Sequence, residues 1–416
     1  MTVFYKGPGA TLIHGDATRL TEYVEPESVD LIVTSPPYFA LRSYQDGGEH
    51  YDGQIGSEDT PEQFLEALWT VTEQCAQVLK PSGSMFINLG DKYAGSNGQS
   101  GGTGEASKVH GGSSSGNQPK ELRRGYIPKT SVRSKSLMGL PWRYALGCID
   151  GKAGDPLILR AEIIWHKLNA LPESVTDRVR RNHEQWFHFT REGSYFSGVD
   201  EIREPTSYTG GLTWDERKET GNRYSDDNGH GSGGMAVNPL GKLPGSVWSM
   251  ALEPLRVPDW LGVDHFAAFP TEWPRKLISG WSPFGFCIEC NEPRTLLVQK
   301  ESEGSYEATN AIGRMDGKRN DEAKHAGRIG SAQTTITGYA CACDDTKAPT
   351  RPAVVLDPFG GTGTVAMVAR ALGREALHID LSTDYLKLAK WRVFESGQWA
   401  KAVRRTNEDN QQTLDL

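Results

Sequence analysis

The feature that most constrains the fold is an apolar strand near the C-terminus that leads into a glycine-rich turn and then a helix. Ala353–Leu356 is apolar throughout, and the turn Asp357–Thr364 is followed by apolar side chains at helical spacing. The next strand, Glu375–Ile379, leads into Asp380, 23 positions after Asp357. Glycines let a ligand approach the backbone at the carboxyl edge of a sheet, and an acid about 20 residues later can hold ribose hydroxyls. The pattern therefore predicts a nucleoside site on an α/β sheet.

The spacing of the glycines narrows the kind of nucleoside site. It is not the G-x-G-x-x-G pattern of dinucleotide-binding turns, and no Gly-Lys-Ser/Thr follows it. A nicotinamide cofactor and a P-loop phosphate site are therefore disfavoured. A tight structural turn without a ligand is the alternative.

A second motif follows an N-terminal strand. Asp30–Thr34 is almost continuously apolar and runs into Ser35-Pro36-Pro37-Tyr38. Two prolines remove two amide donors, so the local carbonyls remain as acceptors. With a serine oxygen and a flat tyrosine ring beside them, these groups suit a planar ligand that carries an exocyclic amine. A Pro-Pro turn that only ends the strand is the alternative.

Several more elements point to the same fold class. Thr11–His14 and Ser84–Asn88 are predicted strands, and Pro61–Leu79 is a predicted helix. Strands and helices that alternate at this spacing are typical of an α/β protein with a parallel sheet.

Together the two motifs resemble those of the β group of DNA amino-methyltransferases, in which the S-adenosylmethionine motif follows the catalytic motif. The resemblance implies a doubly wound, mostly parallel, Rossmann-like α/β sheet with circularly permuted motif order. It also implies methyl transfer from S-adenosylmethionine to an exocyclic amine of a base flipped out of double-stranded DNA. Further stretches similar to the family are His14–Asp16, Leu79–Gly83, Arg160–Lys167 with Asn169, Pro172 and Arg178 after it, and His265–Pro270.

The resemblance assigns roles to individual residues. Ser35 and the Pro36 carbonyl would accept hydrogen bonds from the amine, and Tyr38 would stack on the base. Asp16 would contact the cofactor adenine and Asp380 its ribose. The implied catalytic residues are Ser35, Pro36, Pro37 and Tyr38. The implied cofactor-binding residues are Asp16, His265, Phe269, Pro270, Asp357, Phe359, Gly361, Gly363, Thr364 and Asp380.

The target amine is a choice between two bases. In this family a serine before Pro-Pro-Tyr is usual for N4 of cytosine, while Asp or Asn usually marks N6 of adenine, so Ser35 favours cytosine. Methylation of cytosine C5 is excluded, because none of the six cysteines follows a proline. Methylation of RNA or of a protein amide, and a DNA-binding protein that has lost turnover, are the competing hypotheses.

Four cysteines form two pairs just before the C-terminal strand. Cys287-x2-Cys290 and Cys341-x-Cys343 could complete a tetrahedral structural zinc site. The second pair has an unusual spacing, and free thiols are the alternative. Six cysteines in so long a chain do not make a disulfide scaffold, so a reducing cytosol is expected. The resemblance implies the cytoplasm of a bacterial cell, whether the protein is encoded by the bacterium or by a phage that infects it.

The formal net charge of −8 argues against a protein that holds nucleic acid by bulk charge, but local basic clusters remain candidates for phosphate contacts. The expected partners are double-stranded DNA and a cognate restriction endonuclease, with no membrane. The candidate DNA-binding residues are Arg123, Arg124, Arg133, Lys135, Arg178, Arg180 and Arg181.

These motifs divide the chain into segments. The catalytic half covers residues 1–196 and contains a Gly/Ser-rich loop at 95–130, and residues 197–250 form a candidate target-recognition segment. The cofactor-binding half comprises 251–284 and 351–400, with the zinc-binding insertion 285–350 between them and the tail 401–416 after them.

Overall fold

The computed structural model of the 416-residue chain describes residues 2–40, 45–46, 49–50, 54–95, 130–205, 240–262, 268–301, 333–341, 343 and 348–397. Most of the loop 95–130, most of the segment 197–250 and the tail 401–416 lie outside the described residues, as do Arg123, Arg124 and His265.

The described strands run along the whole chain. They are β1 (Thr2–Gly7), β2 (Ala10–His14), β3 (Val29–Thr34), β4 (Gln45–Asp46), β5 (Glu49–His50), β6 (Leu79–Leu89), β7 (Ile158–Lys167), β8 (His183–Thr190), β9 (Val247–Met250), β10 (Gly285–Cys287), β11 (Thr295–Glu301), β12 (Gln333–Ala340), β13 (Thr350–Pro352), β14 (Val354–Asp357) and β15 (Glu375–Asp380).

The described α-helices are α1 (Pro61–Val78), α2 (Leu140–Ile149), α3 (Glu272–Trp281), α4 (Thr364–Ala371) and α5 (Thr383–Lys390), the last continuing into a π turn at Trp391–Glu395. Helix α1 begins with a capping box in which Thr60 and Gln63 bond each other's backbone amides. The predicted helix Pro61–Leu79 is thus confirmed to within one residue.

Nine of the described strands form one sheet in the order β1-β2-β15-β14-β3-β6-β8-β7-β9. Strands β2, β15, β14, β3 and β6 are parallel neighbours. Strand β1 pairs antiparallel with β2, and the antiparallel pair β7–β8 extends the other side of the sheet. The predicted α/β sheet is confirmed, and its antiparallel extension was not foreseen from the sequence.

Strand β3 explains the continuous apolar run seen in the sequence. Ile32 packs with α1 and α2 on one face of the sheet, while Leu31 and Val33 pack with α3 and α4 on the other. Because alternate side chains of a strand point to opposite faces, a strand covered on both faces is apolar throughout.

The C-terminal strands lie inside the sheet formed by the N-terminal ones. Leu356 of β14 is paired with Ile32 of β3, and Ile379 of β15 is paired with Ile13 of β2. The carboxyl ends of β2, β15, β14 and β3 therefore meet at one edge, and the residues that follow these strands are brought together there.

Four tryptophans hold the antiparallel extension against α3. The Trp273 ring stacks on Trp186 and Trp248 with centroid distances of 4.8 and 4.9 Å, and Trp165 meets it edge-on at 6.0 Å. Strand β9, which belongs to the segment 197–250, is thereby part of the sheet and its core.

At the opposite, amino edge of the sheet, one buried carboxylate joins three strands. Asp30 of β3 pairs with Lys80 of β6 and accepts a hydrogen bond of 2.8 Å from the Val354 amide of β14.

No helix in the described part of the chain is long and apolar enough to cross a membrane.

Candidate active site

A cleft opens at the carboxyl edge, where four neighbouring strands end. Its walls are the residues that directly follow β2, β3, β14 and β15, together with part of the segment before α1 and one residue of α5. They are Gly15, Asp16, Ala17, Ser35, Pro37, Gln54, Ile55, Pro358, Phe359, Gly361, Asp380, Leu381 and Tyr385. The two motifs found in the sequence thus share one cleft, as expected for a ligand site at the carboxyl ends of parallel strands.

The glycines of the turn after β14 have different structural roles. A Cβ atom on Gly360 would lie 2.1 Å from the His378 ring, and one on Gly363 would lie 3.0 Å from Ala389 of α5. Gly361 has a positive φ of 51°. A Cβ atom added to Gly361 would have the Phe359 carbonyl oxygen as its nearest neighbour, at 3.8 Å. Gly360 and Gly363 therefore serve close packing, whereas Gly361 leaves space in the cleft.

Asp380 carries the carboxylate at the cleft floor. It accepts hydrogen bonds of 2.8 Å from the amides of Gly361 and Ser382, which fix its orientation beside the glycine turn. Burial raises the pKa of Asp380 to about 6, although these amide bonds oppose the rise. The carboxylate is thus held in place while its ionised form is not fully stabilised by the protein.

Asp357 lies beneath the cleft instead of lining it. Its carboxylate accepts a hydrogen bond of 2.7 Å from the Thr34 hydroxyl and one of 3.2 Å from the Phe359 amide. Burial raises the pKa of Asp357 to about 7. Asp357 therefore joins the end of β3 to the turn after β14.

Thr364 also serves the turn from below. The buried Arg392 guanidinium donates to the hydroxyls of Thr362 and Thr364 at 2.8 and 2.6 Å. Of the residues assigned to the cofactor from the sequence, Asp357, Gly363 and Thr364 thus support the turn, while Asp16, Phe359, Gly361 and Asp380 line the cleft.

Asp16 reaches the cleft at the end of β2. Its carboxylate accepts from the amide and the hydroxyl of Thr18 at 2.9 and 2.8 Å, and so caps the 3₁₀ helix Ala17–Glu22. The cap holds the Asp16 side chain in one orientation at the rim.

The turn after β3 is held by a polar network. Ser35 donates from its hydroxyl to the Asn88 side-chain oxygen at 3.2 Å, and the Tyr38 hydroxyl lies 2.7 Å from the same oxygen. The Tyr38 hydroxyl also lies 2.9 Å from a carboxylate oxygen of Glu184. Since one hydroxyl proton serves both acceptors, Asn88 and Glu184 together fix the tyrosine.

The network continues into the antiparallel strands. Asn88 donates from its amide nitrogen to the Gln185 carbonyl at 3.0 Å, which turns its oxygen toward Ser35 and Tyr38. Glu184 forms an ion pair with Lys167, both side chains being largely buried. Sequence reasoning missed Asn88 and Glu184 as site residues, and the signal was weak: polar residues at the ends of strands that are otherwise apolar.

The segment assigned to the methionine end of the cofactor lies elsewhere among the described residues. The Phe269 ring packs edge-on against Trp186 at 5.6 Å. Pro270 lines a second cavity of about 680 Å³ between β9 and α3. Neither residue lines the cleft at the carboxyl edge, and His265 is outside the described residues.

The candidate DNA-binding residues that the structure describes fall into two groups. Arg133, Lys135 and Arg180 are exposed. Arg178 stacks over Tyr93 at 4.0 Å, and Arg181 donates to the Asp91 carbonyl at 2.5 Å. The latter two therefore attach the segment 168–182 beside the end of β6 and hold it near the cleft.

The four paired cysteines come together away from this cleft. Cys287, Cys290, Cys341 and Cys343 place their sulfur atoms within 4.8 Å of one another. The amides of Cys290 and Glu289 point at the Cys287 sulfur and lower the pKa of this thiol to about 6.

The amino-acid sequence is similar to those of known DNA methyltransferases. A sequence model described as DNA methylase (N6_N4_Mtase) matches residues 29–285 and 350–391. The type II methyltransferase M.XycI of Xanthomonas campestris pv. cyanopsidis is 35% identical over 397 residues, which are 95% of this chain and 91% of the relative. M.Cfr9I of Citrobacter freundii, also a type II methyltransferase, is 31% identical over 385 residues, covering 92% and 88% of the two chains.

The fold is similar to that of a solved structure, PvuII DNA methyltransferase (cytosine-N4-specific). The similarity covers 97% of this chain and 94% of the other, with a TM-score of 0.51 and 13% sequence identity. At this level of identity the likeness concerns the fold.

The hydrogen bond between Thr34 and Asp357 predicts a pH-dependent loss of stability. Replacing Thr34 by Val keeps the volume but removes the donor to a buried carboxyl, and we expect the free energy of unfolding to fall by about 1–3 kcal/mol. Because the pKa of Asp357 is raised to about 7, the carboxyl is ionised mainly above that pH, and the loss should be larger at pH 8 than at pH 6. Urea titrations at both pH values measure it. Thr34→Ser keeps the donor and serves as control; equal losses for Val and Ser would contradict the role of the hydroxyl.

Proposed function

Because the chain belongs to the DNA methylase family whose β group modifies exocyclic amines with S-adenosylmethionine, we propose that it methylates N4 of cytosine at a specific site in double-stranded DNA. The observation that carries the proposal is the position of Ser35. Ser35 lines the cleft together with Asp380 and Gly361, and its hydroxyl proton is directed at the Asn88 side-chain oxygen.

The cleft fits the cofactor by its chemistry. Gly361 leaves the space that a side chain would fill, and Asp380 presents a carboxylate whose ionised form would gain from further donors. Ribose hydroxyls are such donors. We assign the ribose to Asp380, the adenine to the rim beside Asp16, and the remaining contacts to Phe359 and Gly361. When bound, S-adenosylmethionine supplies an electrophilic methyl group.

Ser35 would act as an acceptor for the target amine. Since its own proton is given to Asn88, its lone pairs are free to accept a hydrogen bond from the N4 amine. The Pro36 carbonyl would accept the second amine proton. With both protons so held, the nitrogen lone pair would point out of the base plane. The new N–C bond would form as the C–S bond breaks, which leaves a neutral thioether and a positively charged nitrogen, and one proton of that nitrogen would then pass to water. No strong base is required.

Tyr38 would stack on the flipped base. Its ring lies against Gly90, where a Cβ atom would come within 2.7 Å of the ring, and its hydroxyl is bonded to Asn88 and Glu184. The ring is therefore held in one plane before any base arrives, and base stacking on an aromatic ring contributes about 1–3 kcal/mol. That gain helps to offset the cost of base flipping, a few kcal/mol.

DNA binding would use the exposed residues Arg133, Lys135 and Arg180 for phosphate contacts, which carry no sequence information. We assign the reading of the recognition site to the segments 95–130 and 197–250, whose greater parts lie outside the described residues. A cognate restriction endonuclease would be its partner, and the bacterial cytoplasm its place of action.

One prediction concerns the product of the reaction. We expect the purified protein to transfer labelled methyl groups to unmethylated genomic DNA and nucleoside mass spectrometry to identify N4-methylcytosine. Ser35→Ala should reduce the rate roughly ten- to hundred-fold, because an acceptor of the amine is lost.

A different product would change the proposal in a defined way. N6-methyladenine would retain the reaction and the family but show that Ser35 does not select the base. Absence of any labelled nucleoside, with cofactor binding intact, would overturn the proposal. Ser194→Ala, which changes an exposed serine after β8 that does not line the cleft, is the matched control.

Another prediction concerns the pH dependence of cofactor binding. The pKa of Asp380 is raised to about 6 in the free protein, and the ribose hydroxyls bind its ionised form. Affinity for S-adenosylmethionine should therefore fall as the pH is lowered through about 6. Asp380→Asn should weaken binding about tenfold or more at pH 8 and remove the pH dependence, as measured by isothermal titration calorimetry. Asp150→Asn at the exposed end of α2 should change neither, and a flat profile for the unmodified protein would refute the assignment.

A further prediction tests Asn88 as a positioning residue for Ser35. Asn88→Ala should lower kcat about tenfold while the Kd for S-adenosylmethionine stays unchanged, because the serine proton loses its acceptor. Because Asn88 also bonds the Tyr38 hydroxyl, the cycle is measured in a Tyr38→Phe background, where Ser35→Ala/Asn88→Ala should be little slower than Ser35→Ala alone. Additive losses in a full double-mutant cycle would show that Asn88 acts independently of Ser35.

A further inference from the structure

The four clustered cysteines have the geometry of a metal site that the methyl-transfer chemistry does not use. Their sulfur atoms lie within 4.8 Å of one another, and the Cys343 sulfur is 2.9 Å from that of Cys341 and 3.6 Å from that of Cys287. A tetrahedron of thiolates around zinc at about 2.3 Å has sulfur–sulfur edges of about 3.8 Å. The cluster needs only small adjustments to reach that geometry.

The backbone around the first pair forms a tight turn. The amides of Glu289 and Cys290 are directed at the Cys287 sulfur, and Asn291 takes a positive φ of 56° to complete the tight turn. None of the six cysteines of the chain forms a disulfide in the described structure. Four sulfur atoms within 4.8 Å of one another and outside any disulfide match the ligand set of a structural zinc site.

We propose that Cys287, Cys290, Cys341 and Cys343 bind one structural zinc ion. Four thiolates complete the tetrahedral shell and leave no open position for water or substrate, which is the arrangement of structural and not catalytic zinc. All four cysteines lie beyond residue 285 and before residue 350, between the two segments that match the DNA methylase family model. The site would therefore be a property of this insertion in the chain and not of the shared catalytic fold.

The position of the cluster in the fold also favours a structural role. Strand β10 ends at Cys287 and pairs with β13, which leads directly into the amino end of β14. The cofactor turn follows the carboxyl end of that strand, about 13 Å away for four residues. A zinc ion held by these cysteines would be separated from Ser35 and Asp380 by the length of the parallel sheet.

The ion would join two small antiparallel pairs. Cys287 and Cys290 lie at the end of β10 in the pair β10–β13, while Cys341 and Cys343 follow β12 of the pair β11–β12. A two-stranded pair is marginally stable by itself, so a link at its base has a large effect. The zinc would hold the base of β11–β12 against the end of β10.

Contacts of aromatic rings attach the two small strand pairs, β10–β13 and β11–β12, to the main sheet. The Phe286 ring is contacted by the Lys80 ammonium and the Arg351 guanidinium, at 4.6 and 4.7 Å from its centre. Lys80 is the partner of Asp30, which also bonds the Val354 amide. On the other side, Tyr339 of β12 stacks on Phe284 with a centroid distance of 4.4 Å. Loss of the metal should thus loosen the amino edge of the sheet and leave the cleft formed.

The test is the metal content and thiol count of the full-length protein, purified without chelators. We expect about one zinc per chain by elemental analysis, six thiols per chain after denaturation with EDTA, and release of the zinc by a mercurial reagent as four thiols react. Replacing zinc by cobalt should give the intense thiolate-to-cobalt absorption of a tetrahedral site.

Variants separate this site from the cysteines elsewhere. Cys290→Ser should abolish zinc binding and lower the Tm by about 5 °C or more, while changing the Kd for S-adenosylmethionine less than about threefold below that Tm. Cys148→Ser, at a buried thiol of α2, should keep the zinc. If Cys290→Ser fails to fold, the cobalt spectrum and thiol count of the unmodified protein decide alone. A stable protein that is free of zinc and gives no cobalt spectrum, iron in place of zinc, or only four titratable thiols would each overturn the proposal.

Discussion

The active site depends on one buried hydrogen bond, from the Thr34 hydroxyl to the Asp357 carboxylate. The two residues are 323 positions apart in the chain, yet their oxygen atoms are 2.7 Å apart. Thr34 immediately precedes Ser35, and Asp357 also binds the Phe359 amide. The turn that would hold the amine and the turn that would hold the cofactor are therefore fixed against each other at their roots. A shift of one strand along the other would break this bond and separate the two turns, which is why the parallel pairing of β3 with β14 sets the geometry of the cleft.

The same edge concentrates ionisable groups at a cost in stability. Asp357 and Asp380 have pKa values raised to about 7 and about 6 from 3.8, and burial lowers that of Arg392 to about 10. For a carboxyl whose pKa is raised by folding, the folded state is favoured below the unfolded pKa and becomes less favoured as the pH rises through the folded value. The protein alone thus does not fully stabilise these charges near neutral pH. Backbone amides and hydroxyls hold each group in position, and a ligand with hydroxyl donors would supply what is missing at Asp380.

The sequence predicts the parts of this arrangement that are local, and fails where contacts are distant. The strand, glycine turn and helix around Asp357–Thr364 are visible in the order of residues, because each is built from neighbours. The division of tasks among the glycines is not visible: Gly363 packs on Ala389 and Gly361 faces the cleft. Asn88 and Glu184 escape notice for the same reason, since their significance comes from Tyr38, 50 and 146 positions away. The cysteine pairs were recognisable, but only the fold shows that Cys287 and Cys343 are neighbours.

The carboxyl and amino ends of the parallel strands have different functions, and this difference explains where the chain accommodates an insertion. At the carboxyl edge the ends of the neighbouring strands β2, β15, β14 and β3 all contribute to one cleft. A segment added there would displace Asp16, Ser35 or Asp380. At the amino edge the strands are joined by Asp30, Lys80 and the Val354 amide, a compact link that does not involve the cleft. Residues 286–349, which separate the two stretches matched to the family, depart from and return to this edge through β10 and β13. An insertion with its own cross-link at that position can be stabilised without altering the distance between Ser35 and the cofactor turn. The proposed metal cross-link and the methyl-transfer chemistry thereby lie at opposite ends of the same parallel strands.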